Sequence, residues 1–265
     1  MDYKKLNIAD QAQFNEDGYV LIKGMLKPEE VKKLYDIATH DEVISNKSFD
    51  RGDANGLRTK LALWYSLGDD AYSLLARSKR IVEGANLLLE GEPAHFHSKL
   101  MQKEPKVGGA WEWHQDYGYW YRDGFLYPQM LSVLTALSPA TKENGCLQVI
   151  KGSHRAGRIE HGFNGEQVGA NQERVDELRK RLELVYVEME AGDTLFFHSN
   201  TLHRSDANLS DAPRWSLISA YNLISNKPYK GNYPSASEAI QIVNDETLLK
   251  SNSEGIQEDA NFLIK

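Results

Sequence analysis

A single cysteine, Cys146, is all the sulfhydryl chemistry the chain carries. That excludes an intramolecular disulfide and any cysteine-built zinc site, and it suits a reducing compartment. Long apolar runs are missing too. No window approaches the roughly 18 uninterrupted apolar residues of a spanning helix. The start MDYKKLNIADQAQF has no apolar stretch leading to a small-residue cleavage site. No membrane association is expected, and the cytoplasm is the expected compartment. Basic clusters are also lacking: Lys and Arg are scattered, and the net charge of −7 opposes a phosphate backbone. Nucleic acid is therefore not an expected partner, whereas a small-molecule pocket, which needs only one or two cations, stays open. The chain shows no internal repeat and no low-complexity tract, and nothing in it speaks to oligomeric state.

What is present is an ordinary globular composition, 41% hydrophobic and 26% charged over 265 residues, compatible with one domain spanning 1–265. Near the N-terminus GYVLIKGML reads as a short strand. KPEEVKKLYDIATH follows as a helix, with Pro28 at its start and Val31, Leu34, Tyr35 and Ala38 at helical spacing. DDAYSLLARSKRIVEGANLLLEG predicts a second helical region, broken near Gly84. Helices are thus expected to dominate residues 1–92.

From Pro93 the texture changes to short runs divided by Gly, Pro and Asn, among them AHFHSKLMQKE, WEWHQDYGYW, QMLSVLTALS, CLQVIKGS and GDTLFFHS. This is the spacing of an all-β sandwich or barrel. The expected fold is mostly β with flanking helices: a β-core over about 93–228, one helical insertion at NQERVDELRKRLE, and a C-terminal extension over 229–265.

Eight histidines offer ligands for a metal: His40, His95, His97, His114, His154, His161, His198 and His203. In an extended segment residues i and i+2 share a side, so His114 and Asp116 can converge on one cation. His95 and His97 share a face as well, but they lack a carboxylate and sit beside Lys99, whose charge repels a cation. They are read as pocket or core residues. A third ligand must come from elsewhere, with His198 and His203 as the contenders. Two imidazoles and one carboxylate with positions left open suit non-haem iron(II). Arg214 opens RWSLISAYN, which has almost no other charge; its planar fork, with the hydroxyl of Ser205, suits a carboxylate.

Taken together, WHQD, ENGCLQVIKGSH, GDTLFFHSNTLHRS and RWSLISAYN resemble the phytanoyl-CoA dioxygenase (PhyH) family of Fe(II)- and 2-oxoglutarate-dependent oxygenases, over roughly residues 14 to 228. The resemblance implies a double-stranded β-helix, a cupin-like jelly roll. It implies that His114, Asp116 and His203 hold the iron and act catalytically, and that Arg214 with Ser205 binds the distal carboxylate of 2-oxoglutarate. Lys99 is a further expected co-substrate contact; its strand places it, Met101 and Lys103 along one face, so either lysine can meet an anion. The implied reaction consumes O2 and 2-oxoglutarate, releases succinate and CO2, and hydroxylates an unactivated C–H bond of a small-molecule metabolite. Relatives that halogenate lack the acid found here as Asp116, so its presence argues for oxidation.

Gln115, Tyr117, Trp120 and His198 are expected to line the substrate pocket. Of the rings Trp111, Trp113, Tyr117, Tyr119 and Trp120, strand alternation turns about half toward the site. A pocket walled by them attracts an organic cation. His154 is expected at a turn or pocket rim, and His40 and His161 on the solvated surface. ENG is expected to set a tight turn. Two rival readings stand beside the oxygenase: another cupin-fold metalloenzyme, a hydrolase or isomerase, and a metal-free binding module on the same fold. The first has no use for the clamp of Arg214 and Ser205, and the second has no reason to keep three ligands.

Overall fold

Along Met130–Ala136, Leu131 and Val133 join one buried cluster while Leu134 and Ala136 join another. Period-two alternation with both faces apolar marks a strand covered on both sides, and the architecture follows from that. The structure is a computed structural model describing residues 3–53, 55–164 and 167–263, so the ends of the expected 1–265 domain lie outside the described residues.

In chain order the elements are α1 (Ile8–Asp17), β1 (Tyr19–Ile22), α2 (Pro28–His40), α3 (Glu42–Lys47), β2 (Phe49–Gly52), β3 (Arg58–Trp64), α4 (Ala71–Ala76) and α5 (Lys79–Leu89). The β-rich region follows as β4 (Pro93–Lys103), β5 (Trp111–His114), α6 (Asp116–Trp120), β6 (Met130–Ala136), β7 (Leu147–Ile150), β8 (His161–Asn164) and β9 (Gln167–Ala170). Then come α7 (Gln172–Arg179), β10 (Leu184–Val187), β11 (Thr194–His198), β12 (His203–Ser205), β13 (Arg214–Leu223) and α8 (Thr247–Lys250).

A seven-stranded sheet runs β1-β11-β6-β13-β4-β3-β2, a four-stranded sheet runs β10-β7-β12-β5, and β8 and β9 form a hairpin. The strand pairings are antiparallel. Met101, Leu134 and Ile218 of the large sheet meet Val149 of the small one and form the core between the layers. Leu100, Val133, Phe196 and Leu217 face the other way, onto Phe14, Leu34, Leu75 and Ile81 from the helices. Each such fully buried side chain contributes about 1.5–3 kcal/mol. The result is the jelly roll expected from residue 93 onward, with helices covering one face only.

In residues 1–92, β1 falls on the strand expected in GYVLIKGML, whereas β2 and β3 were not expected; together the three extend the large sheet at both ends. β2 and β3 escape notice because their exposed positions carry charged residues, Asp50 on β2 and Arg58 and Lys60 on β3. The second helical region breaks at Arg77–Ser78, not at Gly84, which lies inside α5. A Cβ on Gly84 would lie 3.3 Å from the Phe196 ring, so the glycine lets α5 rest on the sheet. The C-terminal extension returns to the edge: Leu263 donates its backbone N–H to Leu63 (2.9 Å), and Phe262 bridges to Trp64.

Candidate metal and co-substrate site

His114 ends β5, Gln115 is still extended, and Asp116 is the first residue of α6. The strand-to-helix corner, not a continuous strand, therefore turns both ligands to one side. His203 begins β12 and lies directly across from His114 in the antiparallel register. Ligand atoms of His114, Asp116 and His203 lie within 4.8 Å of one another, and all three residues are buried. Each histidine Nε2 is 3.8 Å from Asp116 Oδ1.

The histidine tautomers are dictated by the backbone. Nδ1 of His114 faces the Glu112 carbonyl at 2.7 Å, and Nδ1 of His203 faces the Thr201 carbonyl at 2.9 Å. A carbonyl only accepts, so each Nδ1 carries the hydrogen and each Nε2 lone pair is free for a metal. Burial holds both imidazoles below their ordinary pKa, well below for His114. Both are neutral, as ligation requires. Asp116 behaves oppositely. Burial pushes its carboxyl up, but the Lys99 ammonium and the Ser132 hydroxyl work against it, and the group stays ionised. Ser132, on β6 of the opposite sheet, donates to Asp116 Oδ2 at 2.6 Å. Two neutral nitrogens and one braced carboxylate fit a divalent iron.

A second arrangement lies two residues along β12. Lys103, fully buried, donates from Nζ to the Ser205 hydroxyl at 2.8 Å, and Arg214 is its partner across the β4–β13 register. Arg214 Nη1 donates to the Gly145 carbonyl, while its buried Nε has no partner among the described residues. Burial draws Arg214 down to about 10 and Lys103 well below its ordinary value, with Arg214 adding to the latter. Two neighbouring buried cations and an orphaned guanidinium N–H are costly without an anion. The donor set fits a carboxylate from a bound diacid. The ENG turn belongs to this clamp: Gly145 has φ 74°, and a Cβ there would lie 2.1 Å from the Asp206 carbonyl.

With that geometry in place, comparison with known proteins is decisive. The family model described as phytanoyl-CoA dioxygenase (PhyH) matches residues 14–216. The chain belongs to the phytanoyl-CoA dioxygenase family. It is 32% identical to an L-proline trans-4-hydroxylase of Streptomyces griseoviridis over 60% of this chain and 66% of that one. It is 27% identical to an ectoine dioxygenase of Nocardia farcinica over 80% of this chain and 76% of that one. The crystal structure of EctD from S. alaskensis with 2-oxoglutarate and 5-hydroxyectoine superposes with a TM-score of 0.74 at 23% identity, covering 90% of this chain and 88% of that one. The epimerase SnoN in complex with Fe3+, alpha ketoglutarate and nogalamycin RO gives 0.70 at 22% identity, covering 96% and 97%. These two share the fold. This family member is an iron(II)- and 2-oxoglutarate-dependent oxygenase that acts on a small molecule.

The dioxygenase has a cavity of about 290 Å³ that reaches His114 and Asp116. Trp120 lines it, as expected; so do Trp111 and Tyr119. The other three expected pocket residues are elsewhere. Gln115 is a buried brace: its amide donates to the carbonyls of Gly157 and Asn200 and accepts from the Ile159 N–H. Tyr117 turns into the core and donates to the Phe125 carbonyl, because the period of α6 puts Asp116, Tyr119 and Trp120 (i, i+3, i+4) on the cavity side and leaves Tyr117 off it. His198 packs between Phe14 and His154, with Nδ1 accepting from the Asn200 N–H at 3.0 Å. Trp113 joins a separate cluster with Ile150 and Leu202.

Lys99 and Lys103 divide the role left open between them. Lys103 meets Ser205, whereas Lys99 lines the cavity beside the triad and has no hydrogen bond among the described residues. His97 lines the same cavity and His95 lies in the core. His40 is exposed and His154 sits at a turn, but His161 is buried, not solvated. Its Nε2 accepts from the Gln115 N–H, and the missing Cβ of Gly118 makes room for its ring. Ser132, Arg51, Arg122 and Asp123 escaped the sequence reading. Strand alternation offers a signal for Ser132 only, since it shares the inward face of β6 with Leu134. Among the described residues no helix is long and apolar enough to cross a membrane.

Proposed function

We propose that His114, Asp116 and His203 hold the iron, that Arg214 with Ser205 and Lys103 anchors the distal carboxylate of 2-oxoglutarate, and that the reaction is hydroxylation of an unactivated C–H bond. The observation that carries this reading is the pairing of the triad with a buried cation pair, Lys103 of β4 and Arg214 of β13, where Lys103 meets β12 at Ser205, two residues from His203. Bound iron with 2-oxoglutarate and O2 supplies the oxidising power that replaces C–H by C–OH while succinate and CO2 leave. The protein's share is placement. Ser132 and the Glu112 and Thr201 carbonyls aim the ligand atoms, and the fork of Arg214 orients the diacid. Lys99 adds positive charge on the triad's side of the cavity, where it favours carboxylates. Trp111, Tyr119 and Trp120 keep water from the reacting carbon.

A hydrolase or isomerase on the same fold has no use for the buried Arg214 and Lys103. A metal-free binding module has no use for tautomers aimed at a common point. The proline hydroxylase and the ectoine dioxygenases among the relatives favour a small substrate over an acyl-CoA. Anaerobic addition of Fe(II) and 2-oxoglutarate tests the assignment. The expected result is a weak visible charge-transfer band, absent in His114→Ala and weakened in Arg214→Ala. A wild-type protein that gives no band at saturating ligand sinks it.

A further inference from the structure

Asp123 is the one carboxylate besides Asp116 in the lining of the iron-side cavity, and it has no ion pair among the described residues. Its neighbours are rings. Tyr65, Phe96 and Trp120 line the same cavity, and Phe96 lies 5.8 Å from both Tyr65 and Trp120. Tyr233, from the C-terminal extension, packs its ring 5.0 Å from Tyr65 and edge-on to Phe96 at 5.1 Å, and its phenol acts on Asp123. The cation that acts on Asp123 is the exposed Lys230, which makes no ion pair with it. A carboxylate drawn out of water in a cavity lined by three rings, with no ion pair of its own among the described residues, is short of a positive charge. Burial accordingly raises its pKa to about 6, with Lys230 and Tyr233 opposing.

We propose that Asp123, framed by Tyr65, Phe96 and Trp120, is the specificity-determining residue for substrate and binds an organic ammonium group, placing a carbon of that amine toward His114 and Asp116. The proposal rests on reading this cavity as the oxygenase's substrate site. The lining also holds three cations, but Lys99 lies beside the triad, Arg51 acts on Tyr119, and Arg122 is taken up by the His161 carbonyl and Glu160, so Asp123 is the negative end to which an amine is driven. The C-terminal extension takes part, because Tyr233 acts on the carboxylate and the backbone N–H of Tyr229 donates to the Gly124 carbonyl at 3.1 Å.

The test uses two five-membered rings of nearly equal size, pyrrolidinium and the neutral tetrahydrofuran, at matched ionic strength. Each is titrated calorimetrically into the anaerobic protein carrying Fe(II) and 2-oxoglutarate. Pyrrolidinium is expected to bind about tenfold more tightly than tetrahydrofuran. Asp123→Asn is expected to abolish that preference and to keep the visible band, which shows that fold and co-substrate loading survive. Lys230→Gln, which removes the competing ammonium, is expected to tighten pyrrolidinium binding. Equal affinities in the wild type, a preference that persists in Asp123→Asn, or an unchanged affinity in Lys230→Gln overturns the proposal. A wild-type protein without the band defeats the oxygenase assignment instead, and the contrast between the two rings is still readable.

Discussion

His203 and His114 are cross-strand neighbours, paired in register between β12 and β5 with their rings 4.1 Å apart. Two residues far apart in sequence thus share one backbone ladder, and Asp116 completes the set only because the chain turns into α6 immediately after β5. Ligand geometry here is a property of sheet register and one corner. A slip of one residue in that register would send His203 to the opposite face.

Ser132 is expected to tune the metal without touching it. Its hydroxyl is held 2.6 Å from Asp116 Oδ2, so Ser132→Ala leaves the carboxylate less constrained. Iron affinity should fall by about 10- to 100-fold. Titration with Fe(II) monitored by the visible band checks this, and an unchanged affinity would show that the carboxylate is held without Ser132.

Arg214→Ala should weaken 2-oxoglutarate binding by at least about 30-fold, the lower end of what losing one partner of a buried charged pair costs. Arg214→Lys should recover only part of this, because an ammonium cannot reproduce the planar fork. Equilibrium titration of each variant reads the effect directly; equal affinity in all three proteins would remove Arg214 from the co-substrate site.

Gly145→Ala tests the turn behind the clamp. The substitution forces a side chain into φ 74° and into the Asp206 carbonyl. Stability should fall by at least about 1 kcal/mol, measurable by urea unfolding. Because Gly145 supplies the carbonyl that Arg214 holds, the KM for 2-oxoglutarate should rise together with it.

Gln115→Ala should be a folding defect. Truncation strips partners from two buried carbonyls and one buried N–H, each worth about 1–3 kcal/mol. The expected outcome is a large drop in unfolding free energy with the ranking of substrates preserved. A changed ranking in a protein of normal stability would return Gln115 to the pocket.

Binding of pyrrolidinium should depend on pH through Asp123. Its carboxyl, raised by burial to about 6, is charged above that value and neutral below it. Lys230 and Tyr233 face it from the C-terminal extension, and Tyr65 from beyond β3, and none of them becomes negative in this range. Affinity should therefore be full near pH 7.5 and fall as pH drops through about 6. A flat profile in calorimetry between pH 5 and 7.5 would contradict this.

The β-core was legible because its strands alternate and are punctuated by Gly, Pro and Asn. The strand β3, next to the edge strand β2, was not, since Arg58 and Lys60 on its exposed side blur the alternation. The pocket lining was harder still. Strand alternation does not run through WEWHQDYGYW: the chain enters a helix at Asp116, which turns Tyr117 inward and brings Tyr119 and Trp120 to the cavity.

By itself, the sequence determined the chemistry on offer: the residue types and spacing of His114, Asp116, His203, Ser205 and Arg214, and through them the family. Only the tertiary structure decided which of two lysines meets Ser205, which aromatic rings face the iron side, and that a carboxylate from the α6 corner shares a cavity with the metal ligands. The reason is physical. Ligand identity is written locally in side chains, whereas a cavity is the space left between elements, and its walls depend on registers and corners set by packing across the whole fold.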